Sequence, residues 1–243
     1  MLGRALRILE AFTAQHTLLT LSELARRTHM PVSTVHRMLT DLVAWGALER
    51  DPQGRYRVGL RLWEVGSLAP RSQGLRERAL AHMEDLSART RENVQLAVRD
   101  DAEVVFVERI AARGAVPTLT RVGGRLPITA TGAGLMLLAH APTPVQDAVL
   151  GRPVPAHTEF TLTDSGSLRR VLAQIRACGY AVSDRQLSTD TLSVAAPVKD
   201  ASGEVVAAVS VVVRHGSVPV GKLAGLVRSS GRAISGALHP PAS

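Results

Sequence analysis

Thr20-Leu21-Ser22-Glu23-Leu24-Ala25-Arg26-Arg27-Thr28, then His29-Met30-Pro31, then Val32-Ser33-Thr34-Val35-His36-Arg37-Met38-Leu39, is the stretch that decides the fold of this chain. Thr20 and Glu23 stand at capping-box spacing, so each side chain can satisfy an orphan amide at a helix start. Leu21, Leu24 and Ala25 recur at helical spacing and give one apolar face. Met30-Pro31 interrupts that pattern, because the residue before a proline is pushed out of the helical region. Pro31 then suits the opening of a second helix. In that helix Val32, Val35, Met38 and Leu39 are expected on the buried side. Ser33, Thr34, His36 and Arg37 fall on or beside the opposite side. They are short or basic donors, the types that reach phosphates and base edges when a helix enters the major groove.

Leu42 and Val43 extend the apolar stripe, and Gly46 stops it. Leu48-Glu49-Arg50 and Arg55-Tyr56-Arg57-Val58 read as two short strands around the turn Asp51-Pro52-Gln53-Gly54. Arginines at and beside a hairpin tip suit a wing lying along a phosphate backbone. A serine- and threonine-rich helix alone is commonly a solvated face, and an Asp-Pro-x-Gly alone is only a turn. The joint order predicts a winged helix-turn-helix that binds double-stranded DNA. Its contact residues are expected to be Thr20, Ser22, Arg26, Arg27, Ser33, Thr34, His36, Arg37, Arg50, Arg55 and Arg57.

Working outward, Leu6, Ile8, Leu9 and Phe12 form the apolar side of an N-terminal helix that packs on this unit. Leu60, Leu62, Trp63, Val65 and Leu68 are expected to cover the base of the wing. Residues 69–74, Ala-Pro-Arg-Ser-Gln-Gly, make a natural boundary. The domain division predicted is 1–71 for the DNA-binding domain, 72–90 for a linker helix and 91–243 for an effector-binding and oligomerisation domain. Val94 to Val98 and Glu103 to Ile110 read as a hairpin turned at Asp100-Asp101, and Thr118 to Val122 as a third strand. Residues 123–127 read as a loop. Helices are expected at Gly132 to His140, Pro144 to Leu150, Ser167 to Cys178 and Leu223 to Leu238, the last burying Leu223, Leu226, Val227, Ala233 and Ile234. Strands are expected at Tyr180 to Val182, Leu192 to Val198 and Val205 to Val213. Helices interspersed with antiparallel hairpins give an α+β class, with an α/β sensor-type C-terminal domain.

The 243 residues are 45% hydrophobic and 21% charged, enough for one or two domains with real cores. Net charge is +8, carried almost wholly by arginine, whose planar fork suits phosphate and guanine. Residues 1–71 hold ten Arg against six acidic residues, so half of the excess lies elsewhere and charge alone does not locate the DNA surface. Cys178 is the only cysteine and the histidines are scattered, so neither an internal disulfide nor a metal site is expected. No signal-peptide core and no apolar run of membrane-spanning length is present, which predicts a cytoplasmic protein without a membrane partner. Enzyme motifs are weak. Gly132-Ala133-Gly134 lacks the rest of a dinucleotide fingerprint, and no phosphate-binding loop or nucleophile elbow occurs. No catalytic residue or cofactor is expected.

Several ordered motifs carry a family likeness. They are Leu21 to Arg26 with Ser33 to Leu39, then Tyr56-Arg57-Val58-Gly59; Val122 to Pro127 leading into Ala130-Thr131-Gly132-Ala133-Gly134; Gly179 to Asp184; and Ala195 to Asp200 with Gly203 and Ala207 to Val211. Over nearly its whole length the chain resembles the IclR-type transcriptional regulators. The resemblance implies a winged helix-turn-helix, a linker helix and a GAF/PAS-like C-terminal domain that binds a small effector, commonly a carboxylic or aromatic metabolite. It also implies a homodimer or dimer of dimers on palindromic operators. Carried over by position, Gly132 and Ala133 offer backbone amides at a helix start, an anion site. Ser183 and Ser193 fall where pocket-lining groups are common, with Thr118 and Thr191 near them. Leu135 stands where the family usually has lysine, which leaves effector identity open. The alternative is a C-terminal redox- or ligand-sensing module whose winged domain has weak or no DNA binding, with Cys178 as the redox candidate.

Overall fold

The computed structural model describes residues 1–13, 15–68 and 73–239. The chain divides into two compact units, Met1–Gln73 and Gly74–Ser243. The boundary expected at 69–74 therefore falls largely on residues 69–72, which lie outside the described ones.

The first unit holds α1 (Leu2–Glu10), α2 (Leu21–Thr28), α3 (Val32–Trp45), the hairpin β1 (Leu48–Arg50) and β2 (Tyr56–Val58), and α4 (Leu60–Ser67). The capping box of α2 is formed. Thr20 Oγ1 accepts from the Glu23 amide at 3.3 Å, and the Glu23 carboxylate accepts from the Thr20 amide at 2.8 Å. These donors, led by the Thr20 amide, hold the Glu23 carboxyl below its ordinary value. Helix α2 ends on His29 in the left-handed conformation, φ 52°. The Met30 amide donates back to Ala25 O and the His29 amide to Arg26 O, a Schellman closure without glycine. Pro31 precedes α3 rather than entering it. Ile8, Leu24, Val35, Leu39 and Leu48 are buried together as the core of this unit. Leu19 adds a third short pairing to the wing by exchanging backbone hydrogen bonds with Tyr56.

Three expectations fail here, the first because Leu6, expected on the packed side of α1, is exposed. Val32 is 51% exposed, because it sits on the first turn of α3, and the buried stripe starts one turn later at Val35. Helix α4 buries none of its residues, and Leu60, Trp63 and Val65 stand exposed, as does Leu68 just after it. The base of the wing is closed instead by backbone: the Gly59 amide donates to Ala47 O at 2.8 Å, so close that a Cβ on Gly59 would lie 2.2 Å from Gly46 O.

The second unit is a six-stranded antiparallel sheet in the order β5-β4-β3-β8-β7-β6. It is made of β3 (Asn93–Asp100), β4 (Glu103–Ile110), β5 (Arg125–Pro127), β6 (Ala181–Asp184), β7 (Thr191–Lys199) and β8 (Val205–Arg214). On one face α5 (Gln73–Thr90) and α9 (Val220–Leu238) bury Ala79, Met83, Leu86, Leu223, Val227 and Ile234 against Val94, Leu96, Val209 and Val211. On the other, α6 (Gly132–Ala139) and α8 (Ser165–Cys178) cover Ala97, Phe106, Ala195 and Ala208, with α7 (Thr143–Leu150) contributing Leu150 to the same core. All eight residues of α6 are buried, so it is the central helix of this layer. On α9, Ala233 is exposed and Gly231 takes the inward place, 2.7 Å from Pro197 O for a would-be Cβ.

The strand expected at 118–122 is an irregular segment, and the strand lies instead at 125–127. Thr118 and Thr120 turn their hydroxyls to each other, 2.9 Å apart. Gly123 takes φ 74°, and backbone bonds between Gly123, Gly124 and Phe106 set β5 onto β4.

Glu92 lies between α5 and β3 with one carboxylate oxygen buried and unpartnered among the described residues. Burial pushes its carboxyl up from the ordinary 4.5, against the opposing pull of the Val116 amide and Arg214. The folded state therefore holds this proton more tightly than the unfolded state does. Stability falls as pH rises from 4.5 through the raised value. Glu92→Gln should raise the melting temperature at neutral pH and lose that advantage below pH 4.5, a comparison made by thermal melts at both pH values.

Candidate functional site

The surface of the first unit is built on α3. Ser33, His36 and Arg37 are exposed on its first turns and Thr34 is half-buried. Arg37 makes no hydrogen bond or ion pair with the described residues. Exposed Val32 stands beside them, an apolar group of the kind that meets thymine methyls. The sequence reading missed it by assigning it to the core. Ser22 and Arg26 are exposed on α2, and Arg27 is half-buried with Nε unpartnered. The Thr20 hydroxyl is engaged by Glu23, donating to its carboxylate at 2.8 Å as well as capping.

The wing cations divide into two kinds. Arg55 Nε is held at 2.8 Å by Asp51, and Arg57 is held at 2.7 Å by Glu49, whose carboxyl is lowered chiefly by that arginine. Arg50 lies over the Tyr56 ring, 5.6 Å from its centroid, with no carboxylate partner among the described residues. Arg61 covers the Trp45 ring at 4.7 Å and donates to Trp45 O. Sequence shows these charges but not which of them the fold spends internally.

In the second unit a cavity of about 280 Å³ opens on the α6 face of the sheet. Thr118, Ala133, Ser183, Thr191 and Ser193 line it. Gly132 does not line it but supports its wall, since a Cβ there would lie 2.7 Å from Ser193 Oγ. The start of α6 is built for close approach. Thr131 caps it by accepting from the Gly134 amide at 3.0 Å, while the amides of Gly132 and Ala133 take no partner among the described residues. Ser183 Oγ donates to Ala130 O at 2.7 Å and ties β6 to the segment leading into α6.

Other lining residues were not singled out from sequence: Gln95, Phe106, Thr120, Leu126, Leu187, Asp190, Ser210 and Val212 among them. The loop carrying Gln186 to Asp190 is fixed from outside, with Thr158 and Thr161 hydroxyls donating to Arg185 O and Gln186 O. Among the described residues no Arg, Lys or His lines the cavity, so an anion there is held by amides and hydroxyls and must keep clear of the one lining carboxylate, Asp190. Cys178 lies away from it, half-buried, its Sγ 3.2 Å from Tyr180 O.

With the two sites described, comparison with known proteins is decisive. Residues 1–52 match the IclR helix-turn-helix domain, and residues 68–236 match the bacterial transcriptional regulator IclR C-terminal domain. The chain belongs to the IclR family. It is 32% identical to the HTH-type transcriptional regulator XynR of Escherichia coli over 98% of this chain and 97% of that protein. Among solved structures it is similar to an IclR homologue from Microbacterium hydrocarbonoxydans complexed with 4-hydroxybenzoate, at 39% identity, TM-score 0.92 and 98% coverage of both chains. The IclR protein of Thermotoga maritima superposes with TM-score 0.80 at 27% identity, again over 98% of both chains. This IclR-family chain is thus a DNA-binding transcriptional regulator with a C-terminal effector domain, and the relatives matched are regulators rather than enzymes. Among the described residues no helix is long and apolar enough to cross a membrane.

Proposed function

We propose that this regulator acts in the cytoplasm as a homodimer or dimer of dimers on a palindromic operator, with α3 in the major groove and Arg26, Arg27 and Arg50 on phosphates. The domain division is 1–71, 72–90 and 91–243. The observation that carries the DNA reading is Arg37, unpaired among the described residues and flanked by Ser33 and His36 on the exposed start of α3. Exposed Leu2 and Leu6 on α1, and exposed Leu60 and Trp63 on α4, support association of two heads, because large apolar side chains left in solvent on surface helices suit an interface.

The effector of this reading is a small aromatic or other carboxylic acid. Its carboxylate meets the open amide of Ala133 at the start of α6, where the helix dipole adds to hydrogen bonding, while Gly132 shapes the wall behind it. Thr118, Ser183, Thr191 and Ser193 surround it. The similarity to a homologue complexed with 4-hydroxybenzoate supports an aromatic acid. Effector and operator are coupled only by as much as the effector prefers one arrangement of the heads.

A salt titration tests the reading. Genomic fragments retained by the protein are selected, and affinity for one of them is measured by fluorescence anisotropy across salt concentrations. Three cations per head assigned to phosphates, Arg26, Arg27 and Arg50, have no carboxylate partner among the described residues. Two heads then give a slope of log affinity on log salt of about −5. A slope near half that value would mean a single head, and a flat response would remove phosphate contacts altogether.

A further inference from the structure

The floor of the cavity carries a polar pair that the carboxylate site does not use. Gln95 on β3 and Ser210 on β8 face each other across the ladder, on the sheet face covered by α6. Ser210 is 0% exposed, and its Oγ has no hydrogen-bond partner among the described residues. Gln95 is 2% exposed and donates to Thr120 Oγ1, which lies 2.9 Å from Thr118 Oγ1. Around this pair the wall is apolar, formed by Phe106, Leu126 and Val212.

A hydroxyl buried in a valine-rich strand without a partner costs free energy that alanine would avoid. Its lining position, beside an amide already held in place by a threonine, marks a prepared place for a polar group of the ligand. The spacing fits. Ser193, which lies against Gly132 at the start of α6, pairs with Val212, two residues along β8 from Ser210. That diagonal of the sheet is about 8 Å between Cα atoms, the span of one substituted ring.

We propose that Ser210 and Gln95 form a second polar pole of the effector site that reads a ring hydroxyl opposite the carboxylate, so that this regulator selects hydroxylated aromatic acids over unsubstituted ones. The proposal rests on the carboxylate reading above. A phenolic hydroxyl both donates and accepts, and Ser210 Oγ can meet it in either role. An acid without the hydroxyl leaves Ser210 dry and unpaired when it fills the cavity, and a site built to hydrogen-bond a hydroxyl rejects the analogue lacking it.

The test is isothermal titration of the full-length protein and its Ser210→Ala variant with benzoate and with 4-hydroxybenzoate. The wild type should bind 4-hydroxybenzoate at least about tenfold more tightly than benzoate. Ser210→Ala should bring the two within about threefold, chiefly by weakening 4-hydroxybenzoate. The unliganded variant should melt at or above the wild-type temperature, which a merely structural serine would not allow. Equal binding of the two acids by the wild type overturns the second pole while leaving the carboxylate reading in place. A preference that survives in the variant, or a lowered melting temperature, also overturns it. If neither acid binds, the carboxylate reading fails and this proposal falls with it.

Discussion

Replacing Arg37 with alanine is expected to weaken operator binding by about a hundredfold or more while leaving the fold and the salt-insensitive properties of the protein unchanged. The side chain is exposed and makes no ion pair within the described chain, so its removal costs the folded state nothing that the structure shows. On DNA, a bidentate arginine–guanine contact contributes about 1–3 kcal/mol of discrimination, and two heads lose it together. Arg55→Ala is the contrasting variant. Arg55 is already bound by Asp51 through both its backbone amide and its guanidinium, so it has less to give a phosphate. Its loss should cost no more than about threefold, evenly across sequences. A gel-shift titration with selected and scrambled fragments separates the two effects. Undiminished affinity in Arg37→Ala would take α3 out of the major groove, and an equal loss from Arg55→Ala would mean that the wing gives up its internal pairs on binding.

That contrast shows what sequence could and could not reveal. The helix-turn-helix was legible because its signals are local: the Thr20–Glu23 box, the break at Met30-Pro31 and the period of Val35, Met38 and Leu39 each depend on neighbours a few residues away. The pairing of Arg57 with Glu49 depends on hairpin register, which sets those two residues opposite each other, and counting charges cannot show it. The left-handed turn at His29 was hidden because no glycine marks the end of α2, and histidine takes that conformation only occasionally. Helix α4 carries the apolar residues of a buried helix yet buries none, so composition alone did not show its exposure.

In the second unit the strands of the central ladder were legible from β-branched runs, but 118–122 was not. Its residues have strand composition, while Thr118 and Thr120 spend their polar groups inside the cavity rather than on a neighbouring strand. The cavity floor did leave a signal. Ser210 is the lone polar residue among Val209, Val211, Val212 and Val213, and Gln95 stands between Val94 and Leu96. A polar residue inside a run with no solvent-facing alternation, as Ser210 is, must find a partner or face a ligand. Gln95 alternates with Val94 and Leu96 as a half-exposed strand residue does, so its burial was not legible.

The largest effect on the effector domain is expected from Gly134→Ala. A Cβ at Gly134 would stand 2.2 Å from Ile128 O and 2.6 Å from Thr131 Oγ1. Neither neighbour can yield cheaply, because the first is backbone and the second is the capping hydroxyl that the Gly134 amide itself requires. The start of α6 must therefore shift, and α6 is buried along its whole length between the sheet and α8. Overpacking of this kind costs about 3 kcal/mol, at the upper end of the usual range, because no rotamer change relieves it. Effector binding should be lost as well, since the open amides of Gly132 and Ala133 move with the helix start. Gly132→Ala provides the comparison two residues away. Its Cβ would meet Ser193 Oγ at 2.7 Å, a hydroxyl that can rotate, though Ser193 O at 3.1 Å still crowds it. That variant should keep most of its stability and lose affinity for the acid by about tenfold, through distortion of the wall beneath the carboxylate. Thermal melts paired with titration decide the matter: a wild-type melting temperature in Gly134→Ala would mean that the start of α6 is free to move, and the fixed amides on which the effector site depends would be gone.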